Sequence, residues 1–343
     1  MFPSSVLEAY ELPIASTKVE AFGNGLINHT WKLTNGKDQF ILQRINENVF
    51  ADPEAIAKNI QMIAEHLQLH HPEYQFVKPV FSNDGQTMVH MEGEGYFRLF
   101  PFVKNSHSKN IVKTSSQAYE AAVQFGRFTR MLKDFDPAKL MITIPHFHDL
   151  SLRYLQFRSA IKNGDSERIN GSKDLIETLL QHADIVSEYE RIRTSQDFKI
   201  RVTHHDTKIS NVLFNEQEKG LCVIDLDTLM PGYFFSDVGD MMRTYLSPVD
   251  EEEKDFTQIE IRKDFYDAIV QGYLDEMREE LTMMEKQYFF YAGKFMIYMQ
   301  ALRFLADHLN CDRYYGAKYP DHNFMRAKNQ VVLLQKFIEA KEQ

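Results

Sequence analysis

The chain has few of the residues that build metal clusters or membrane spans. It contains only two cysteines, Cys222 and Cys311, and both lie in apolar, patterned stretches rather than at the short spacings of metal ligands. We therefore expect two buried thiols. The longest apolar stretch, residues 288–302, is interrupted by Lys294 and is shorter than the roughly 20 residues that a membrane span needs.

The chain also lacks an excess of positive charge. Its 39 Lys and Arg residues are outnumbered by 49 Asp and Glu residues, for a formal net charge of -10. A nucleic-acid binder needs clustered basic side chains, so we expect no nucleic-acid partner and instead a small neutral or cationic molecule. The amino-terminal segment has neither the basic start nor the apolar run of a signal peptide, so we expect a cytoplasmic protein with no membrane partner.

The periodicity of the sequence predicts two lobes. With 343 residues, of which 43% are apolar, the chain is long enough for two lobes of ordinary size. Short alternating stretches divided by turn residues come first, whereas helical periodicity dominates beyond about residue 110. We predict an α+β protein with a small antiparallel-sheet N-lobe at 1–103, which includes one helix, and a larger, mainly helical C-lobe at 104–343.

Local patterns predict the elements of both lobes. Strands are expected at 18–22, 30–33, 39–45, 87–91 and 96–100, with hairpin turns at Asn24-Gly25, Asn35-Gly36 and Asp84-Gly85. The N-lobe helix is expected to start at Asp52-Pro53, a cap residue followed by proline, and to end near Leu69. In the C-lobe, a capping box at Thr114 and the patterns at 256–277 and 282–309 predict three further helices.

The most informative stretch follows a short strand that ends near Val202. A polar loop runs from His204 to Asn211, and a hairpin through 212–224 then ends at Asp225. If the hairpin pairs Phe214 with Leu221, Asn211 lies opposite Ile224 and Asp225 is one step beyond. Asp206 must then close onto the same hairpin mouth, so two carboxylates and one amide converge. Such oxygen ligands suit Mg²⁺.

Phosphoryl transfer requires these parts, because its transition state spreads charge over phosphate oxygens that metal ions neutralise. We assign Asp206 as the base, Asn211 and Asp225 as metal ligands, and Asp227 as a further ligand contact or a substrate anchor. A plainer interpretation is that Asp206 and Asn211 only cap their own loop. Nearby, we expect His204 to brace the loop, His205 to be exposed, and Asp237 and Asp240 to be structural acids that open a helix.

The loop His-x-Asp-x-x-x-x-Asn followed by Ile-Asp resembles the aminoglycoside phosphotransferase superfamily, kinases of small molecules with the protein-kinase-like fold. The strings THHDTKISNVLF and VIDLDTLMPG, with Asp237-Val238-Gly239-Asp240 after them, are similar more narrowly to the N-acetylhexosamine 1-kinase branch. The resemblance implies that Asp206 activates the anomeric hydroxyl of a sugar and that Asn211 and Asp225 hold Mg²⁺. It also implies a sugar pocket lined by Asp227, Thr228, Arg303 and Tyr314.

The N-lobe is expected to bind ATP. Asn24 and Gly25 lie between the first two strands, where a permissive backbone can approach phosphates closely. Protein kinases carry a lysine in the third strand, and the corresponding place here has Arg44, with Gln43 beside it. By strand alternation we expect Arg44 to reach the phosphates with Glu54 as its partner. Adenine is expected to meet backbone groups from Phe100 to Val103.

Two alternatives to a sugar kinase remain open. The same fold could act on another acceptor, such as an aminoglycoside or a choline-like alcohol, which the acidic composition permits. The chain could also be a catalytically silent nucleotide-binding module. The presence of Asp206, Asn211 and Asp225 argues against a silent module, because a scaffold needs none of them.

Overall fold

The computed structural model of the chain describes residues 4–23 and 27–342, and it has the two-lobe α+β architecture that the sequence predicts. Asn24 and Gly25 lie outside the described residues. The helices are α1 Ser5–Ala9, α2 Pro53–His70, α3 Ser115–Met131, α4 Leu150–Asn163, α5 Ser166–Gly171, α6 Lys173–Gln181, α7 Asp184–Thr194, α8 Phe234–Tyr245, α9 Lys263–Met277, α10 Phe289–Leu309 and α11 His322–Glu342. The strands are β1 Lys18–Ala21, β2 His29–Asn35, β3 Asp38–Arg44, β4 Val89–Met91, β5 Gly95–Pro101, β6 Ser106–His107, β7 Arg201–Thr203, β8 Val212–Asn215, β9 Gly220–Val223 and β10 Met230–Gly232.

The first lobe is built on a five-stranded sheet of order β1-β2-β3-β5-β4, whose strand pairs are all antiparallel. All five predicted strands are confirmed, with ends shifted by at most two residues. One face of the sheet, which includes Leu42 and Phe97, packs on Val6 and Leu7 of α1 to form a separate apolar core. The sequence patterns did not predict α1, because a helix of five residues is too short for a periodic signal.

Helix α2 belongs to the first lobe by sequence but packs into the second. The Asp52 side chain accepts from Ala55 N at 3.1 Å, which confirms the predicted helix start. Its buried face, which includes Ile56, Ile60 and Ile63, contributes to the apolar core of the helical lobe rather than to that of the sheet. The division into 1–103 and 104–343 therefore stays a prediction.

The helical lobe is organised around α10, which is buried along most of its length and packs on α4, α8 and α11. Helices α9 and α10 start later than predicted because the preceding residues, Phe256–Gln258 and Glu285–Gln287, form 3-10 turns. No helix in the described part of the chain is long and apolar enough to cross a membrane. Cys222 is buried as expected, whereas Cys311 is exposed because it lies in a left-handed turn after α10.

The predicted hairpin is present as β8 and β9. Val212 pairs with Val223 and Leu213 with Cys222, whereas Phe214 pairs with Gly220 rather than with Leu221. The register shift lies between Leu213 and Phe214, on the side away from the hairpin mouth. The mouth itself therefore keeps the predicted register.

Candidate active site

Asp206, Asn211 and Asp225 meet at the mouth of this hairpin. The Ile224 N–H donates to the Asn211 carbonyl oxygen at 2.9 Å, so Asp225 follows directly on the opposing strand. Asn211 Nδ2 donates to the main-chain oxygen of Asp206 at 2.9 Å. Asn211 Oδ1 accepts a long bond of 3.4 Å from Ser210 Oγ and keeps acceptor capacity for a metal ion. The structure thus brings the three predicted residues together.

Asp225 sits at a strained position that opens into the cleft. Its φ of 62° lies in the left-handed region, which is uncommon for a residue other than glycine. Loss of hydration in the cleft, followed by the charges of Asp227 and Asp206, raises the pKa of Asp225 to about 7. A carboxylate that is costly to ionise alone is well suited to bind a divalent cation, which removes this repulsion.

Lys208 is a charged residue of the site that had no predicted role. Its Nζ lies 3.2 Å from Asp206 Oδ2. Partial burial lowers the pKa of Lys208, but the charges of Asp206, Asp240 and Asp225 outweigh this effect and raise it overall. Its position in the loop, between the predicted base Asp206 and Asn211, was the sequence signal that could have indicated a role in the site. Lys208 therefore adds a cation at the place where phosphate charge is expected.

Two acids of α8 hold the loop that carries Asp206. Asp237 accepts from the backbone N–H groups of His204 and His205, at 3.1 and 2.8 Å. Asp240 accepts from Thr207 N at 2.8 Å. Both acids are structural, as predicted, but they bind the backbone of the loop rather than the free N–H groups of their own helix. Burial raises the pKa of Asp237 to about 7, although the two backbone bonds oppose this effect.

Of the predictions for the two histidines of the loop, one is confirmed and the other is wrong. His204 braces the loop as predicted, because its Nε2 lies 3.0 Å from the Ile224 carbonyl oxygen. The prediction that His205 is exposed is wrong, since only 5% of its surface is accessible. Its φ of 66° turns the side chain inward, where Nδ1 lies 3.2 Å from His148 Nδ1 and 3.1 Å from Ser236 Oγ. Burial lowers the pKa of His205 to about 4.

The sheet lobe corrects the prediction for the phosphate clamp. Arg44 shares its sheet face with Leu42 and pairs with Phe97, so it lies on the face covered by α1 and away from the second lobe. Its predicted partner Glu54 lies 3.9 Å from Lys58, in a pair that is exposed to solvent. Alternation assigned the correct face to Arg44 relative to its neighbours. It could not tell which face meets the cleft.

The opposite face of the sheet carries a different cation. Gln43 pairs with Arg98 of β5, whose guanidinium reaches Asp227 of the second lobe at 2.5 Å. Asp227 also accepts from Asn28 Nδ2 at 2.7 Å and is 2% exposed. Thr228 donates to the His204 carbonyl oxygen at 2.6 Å and is 6% exposed. In this structure both predicted pocket residues are engaged by protein groups, so neither presents an unbonded side chain to an acceptor.

The other two predicted pocket residues lie side by side. The Arg303 guanidinium is 5.9 Å from the Tyr314 ring centre and 5.7 Å from that of Phe147. Phe147 stacks on His148 at 4.4 Å, and His148 contacts His205, the neighbour of the predicted base. A continuous series of contacts therefore connects Arg303 and Tyr314 to the loop. Phe147 and His148 were not predicted, because nothing in the local sequence marks residues that join the site only through folding.

The predicted adenine contacts lie where the chain passes between the lobes. Phe100 pairs with Ile41 in the sheet, and its ring lies 5.0 Å from the Arg98 guanidinium. The Val103 carbonyl oxygen accepts from Ser106 Oγ at 2.7 Å. Asn105, with a φ of 58°, then redirects the chain into β6 of the second lobe. Phe100 and Val103 thus border the connection between the lobes.

The donor set fits a divalent ion that binds together with phosphate. Across residues 4–23 and 27–342, no group of three or more His, Cys, Asp or Glu side chains could hold a metal ion by itself. Asn211 and Asp225 offer one amide and one carboxylate oxygen at the hairpin mouth. Mg²⁺ is commonly bound by one or two carboxylates together with substrate phosphates and water, so these residues fit it as a partner of ATP.

Comparison with known proteins identifies the family and the fold of the chain. Residues 18–282 match the model of the phosphotransferase enzyme family, APH. Among solved structures, a microcompartment-associated aminopropanol kinase is similar with a TM-score of 0.66 at 16% identity, over 98% of this chain and 97% of that one. An amicoumacin kinase in complex with AMP-PNP, Ca²⁺ and Ami gives 0.65 at 14% identity, over 98% and 95%.

A choline kinase from Cryptosporidium parvum gives a TM-score of 0.59 at 13% identity, over 99% of this chain and 97% of that one. Identities this low show a shared fold, which is protein-kinase-like. The family match covers most of the chain and includes the loop, the hairpin and both acids of α8. The chain therefore belongs to the phosphotransferase enzyme family.

Proposed function

We propose that the chain transfers the γ-phosphoryl group of ATP to a sugar, at the anomeric hydroxyl of an N-acetylhexosamine or hexose. The observation that carries the kinase part is the meeting of Asp206, Asn211 and Asp225 at one hairpin mouth. A cytoplasmic location and a role in carbohydrate metabolism belong to the same proposal, because ATP and free sugars are available there.

Each residue has a defined part in the transfer. Asp206 accepts the proton of the acceptor hydroxyl while a bond forms between that oxygen and the γ-phosphorus and the bond to the β,γ-bridging oxygen breaks. Asn211 Oδ1 and Asp225 would hold Mg²⁺, which supplies charge neutralisation on the phosphate oxygens. The Lys208 ammonium lies 3.2 Å from Asp206 Oδ2 and adds positive charge beside the transferred group.

The acceptor end favours a neutral sugar over a cation. Within the described residues Arg303 makes no ion pair, and its Nη1 donates to Gln300 Oε1 at 2.8 Å. Burial, followed by the charge of Arg303, lowers the pKa of Arg153, so a second guanidinium lies close by. Two guanidinium groups repel an ammonium group but donate hydrogen bonds to hydroxyl or acetyl oxygens. The rings of Phe147 and Tyr314 beside Arg303 offer the apolar surface on which a sugar face can pack.

The aminopropanol and choline kinases that share the fold are named for acceptors that carry an amine or ammonium group. A cationic acceptor is therefore the second candidate. An acceptor screen by phosphorus NMR separates the two, using ATP, Mg²⁺ and a panel of free hexoses, N-acetylhexosamines, choline and an aminoglycoside. We expect a sugar 1-phosphate and no product from the cations. Product from the cations alone would overturn the sugar proposal and leave the kinase intact.

Two variants test the residue roles in the same screen. Asp206→Ala is expected to abolish turnover while ATP with Mg²⁺ still raises the melting temperature. Arg303→Gln is expected to raise the KM for the sugar more than it lowers kcat, because it removes binding rather than proton transfer. If the wild-type protein binds ATP but modifies no acceptor, the silent nucleotide-binding module is the better hypothesis.

A further inference from the structure

Arg98 is a buried cation of the sheet lobe that lies next to the metal ligands. It is 1% exposed on β5. Its Nε and Nη2 both donate to Gln43 Oε1, at 3.1 and 2.8 Å. The uncharged Gln43, at the strand position next to Arg44, therefore orients the guanidinium. The third nitrogen, Nη1, lies 2.5 Å from Asp227 Oδ1 in the other lobe.

Asp227 is held by the sheet lobe through both of its carboxylate oxygens. Asn28 Nδ2 donates to Oδ2 at 2.7 Å, and Asn28 Oδ1 in turn accepts from Asn46 N at 3.0 Å. Asn28 precedes β2 and Asn46 follows β3, so this asparagine is fixed between two strands. We call Asn28, Arg98 and Asp227 the interlobe cluster. Within it, Asn28 and Asp227 are 199 positions apart in the sequence.

Apolar contacts join one end of the sheet to the second lobe. The sheet and α1 form one apolar core and the helical lobe with α2 forms another, to which Ile45 after β3 belongs and against which Tyr96 of β5 packs. Because these contacts lie at one end of β3 and β5, polar contacts also determine the position of the sheet over the cleft. The interlobe cluster is a buried contact of this kind, and Asp227 is only two residues from Asp225.

A buried ion pair is a poor device for stability alone. Replacing such a pair by apolar residues is often neutral or stabilising, because desolvation of both charges offsets their attraction. Its advantage is defined geometry, since a guanidinium bound to two partners has one orientation. The interlobe cluster lies between the ATP-binding sheet and the segment that carries a metal ligand. At this location a fixed relative position of the two is more useful than added stability.

We propose that the interlobe cluster fixes the segment 225–229 against the sheet, so that Arg98 is a positioning residue that aligns Asp225 with ATP. The proposal rests on the proposed phosphoryl transfer for its effect on rate, but not for its structural part. Arg98 acts through Asp227 and does not itself contact the reacting atoms. The expected consequence is that the nucleotide-binding sheet and the metal ligand Asp225 move as one unit.

The test compares two double variants that remove a buried ion pair in the same way. Arg98→Met with Asp227→Asn removes both charges of the interlobe cluster. Arg201→Met with Glu285→Gln removes a pair of similar burial, with Nη1 to Oε1 at 2.7 Å, that connects two segments of the helical lobe rather than the two lobes. Hydrogen exchange of residues 225–230 is measured without ligands for both, at the same interval below each melting temperature. Turnover is then measured with ATP, Mg²⁺ and the acceptor found by the screen.

We expect faster exchange at residues 225–230 in the Arg98 double variant and wild-type exchange there in the Arg201 double variant. A misplacement of about 1 Å costs on the order of 100-fold in rate, so kcat should fall by about that factor only in the Arg98 double variant.

Wild-type exchange at residues 225–230 in the Arg98 double variant would overturn the proposal, whatever the turnover. Equal losses of kcat in both double variants would also overturn it, because they would show a general effect of lost stability. Failure of the proposed function is a different result. The wild-type protein would then turn over no acceptor, while the exchange measurement, which needs no ligand, would still decide on the interlobe cluster.

Discussion

Gly239 offers a sharp test of how α8 supports the active site. A Cβ atom at this position would lie 2.3 Å from the Ala292 carbonyl oxygen of α10, whereas ordinary contacts begin near 3.4 Å. The Gly239→Ala variant must therefore move α8 away from α10 by about 1 Å, since the obstacle is backbone within a buried helix. Helix α8 also carries Asp237 and Asp240, which bind the backbone of the loop that holds Asp206.

Both the stability and the rate are expected to fall. Overpacking of a well-packed core costs about 1–3 kcal/mol, and the gain of up to about 1 kcal/mol from replacing a helical glycine offsets only part of this cost. A shift of about 1 Å at the loop lowers kcat by roughly 100-fold, because the base no longer meets the acceptor hydroxyl. We therefore expect a loss of about 1–2 kcal/mol in the free energy of unfolding together with the loss of rate.

Urea denaturation followed by circular dichroism measures the first effect, and phosphoryl transfer at saturating substrates measures the second. Gly171→Ala is the matched control. Gly171 is also helical, at the end of α5, but a Cβ atom there would meet nothing within 4 Å. It should gain about 0.4–1 kcal/mol and keep wild-type kcat. A kcat equal to that of the wild type despite a loss of stability in Gly239→Ala would refute the coupling of α8 to the loop, and wild-type stability would refute the close packing of α8 on α10.

Two other predictions concern buried ionisable side chains. Glu285 is 0% exposed and binds Arg201 with both oxygens, so Glu285→Gln should lower the free energy of unfolding by about 3–5 kcal/mol. Lys133→Ala breaks a partly exposed pair and should lower it by at most about 1 kcal/mol. Similar urea midpoints for the two variants would contradict this prediction. His205 has a folded-state pKa near 4 against an ordinary 6.5. Because the unfolded chain takes up a proton first as the pH falls, the wild type should lose about 3 kcal/mol between pH 7 and 4 relative to His205→Asn, which suits the left-handed backbone. A difference between the two proteins that does not change with pH would contradict the burial of a neutral histidine.

The sequence by itself determined the elements and contacts that depend on near neighbours in the chain. The five strands of the sheet and the start of α2 follow from alternation, turn residues and a proline cap, which act over a few residues. The register at the hairpin mouth also follows from the local sequence. Pairing of Val212 with Val223 was enough to bring Asn211 beside Asp225, even though a register shift near Phe214 was not predicted. Local geometry also sufficed to assign His204 to the loop.

Only the tertiary structure decided which surfaces face the cleft. Alternation placed Arg44 and Gln43 on opposite faces, but α1 covers the face of Arg44 and leaves Gln43 and Arg98 toward the second lobe. Likewise His205 is buried because His148, 57 positions away, packs against it. These outcomes depend on contacts between distant segments, whose free energies are set by burial and charge in the folded chain. A local pattern carries no information about them.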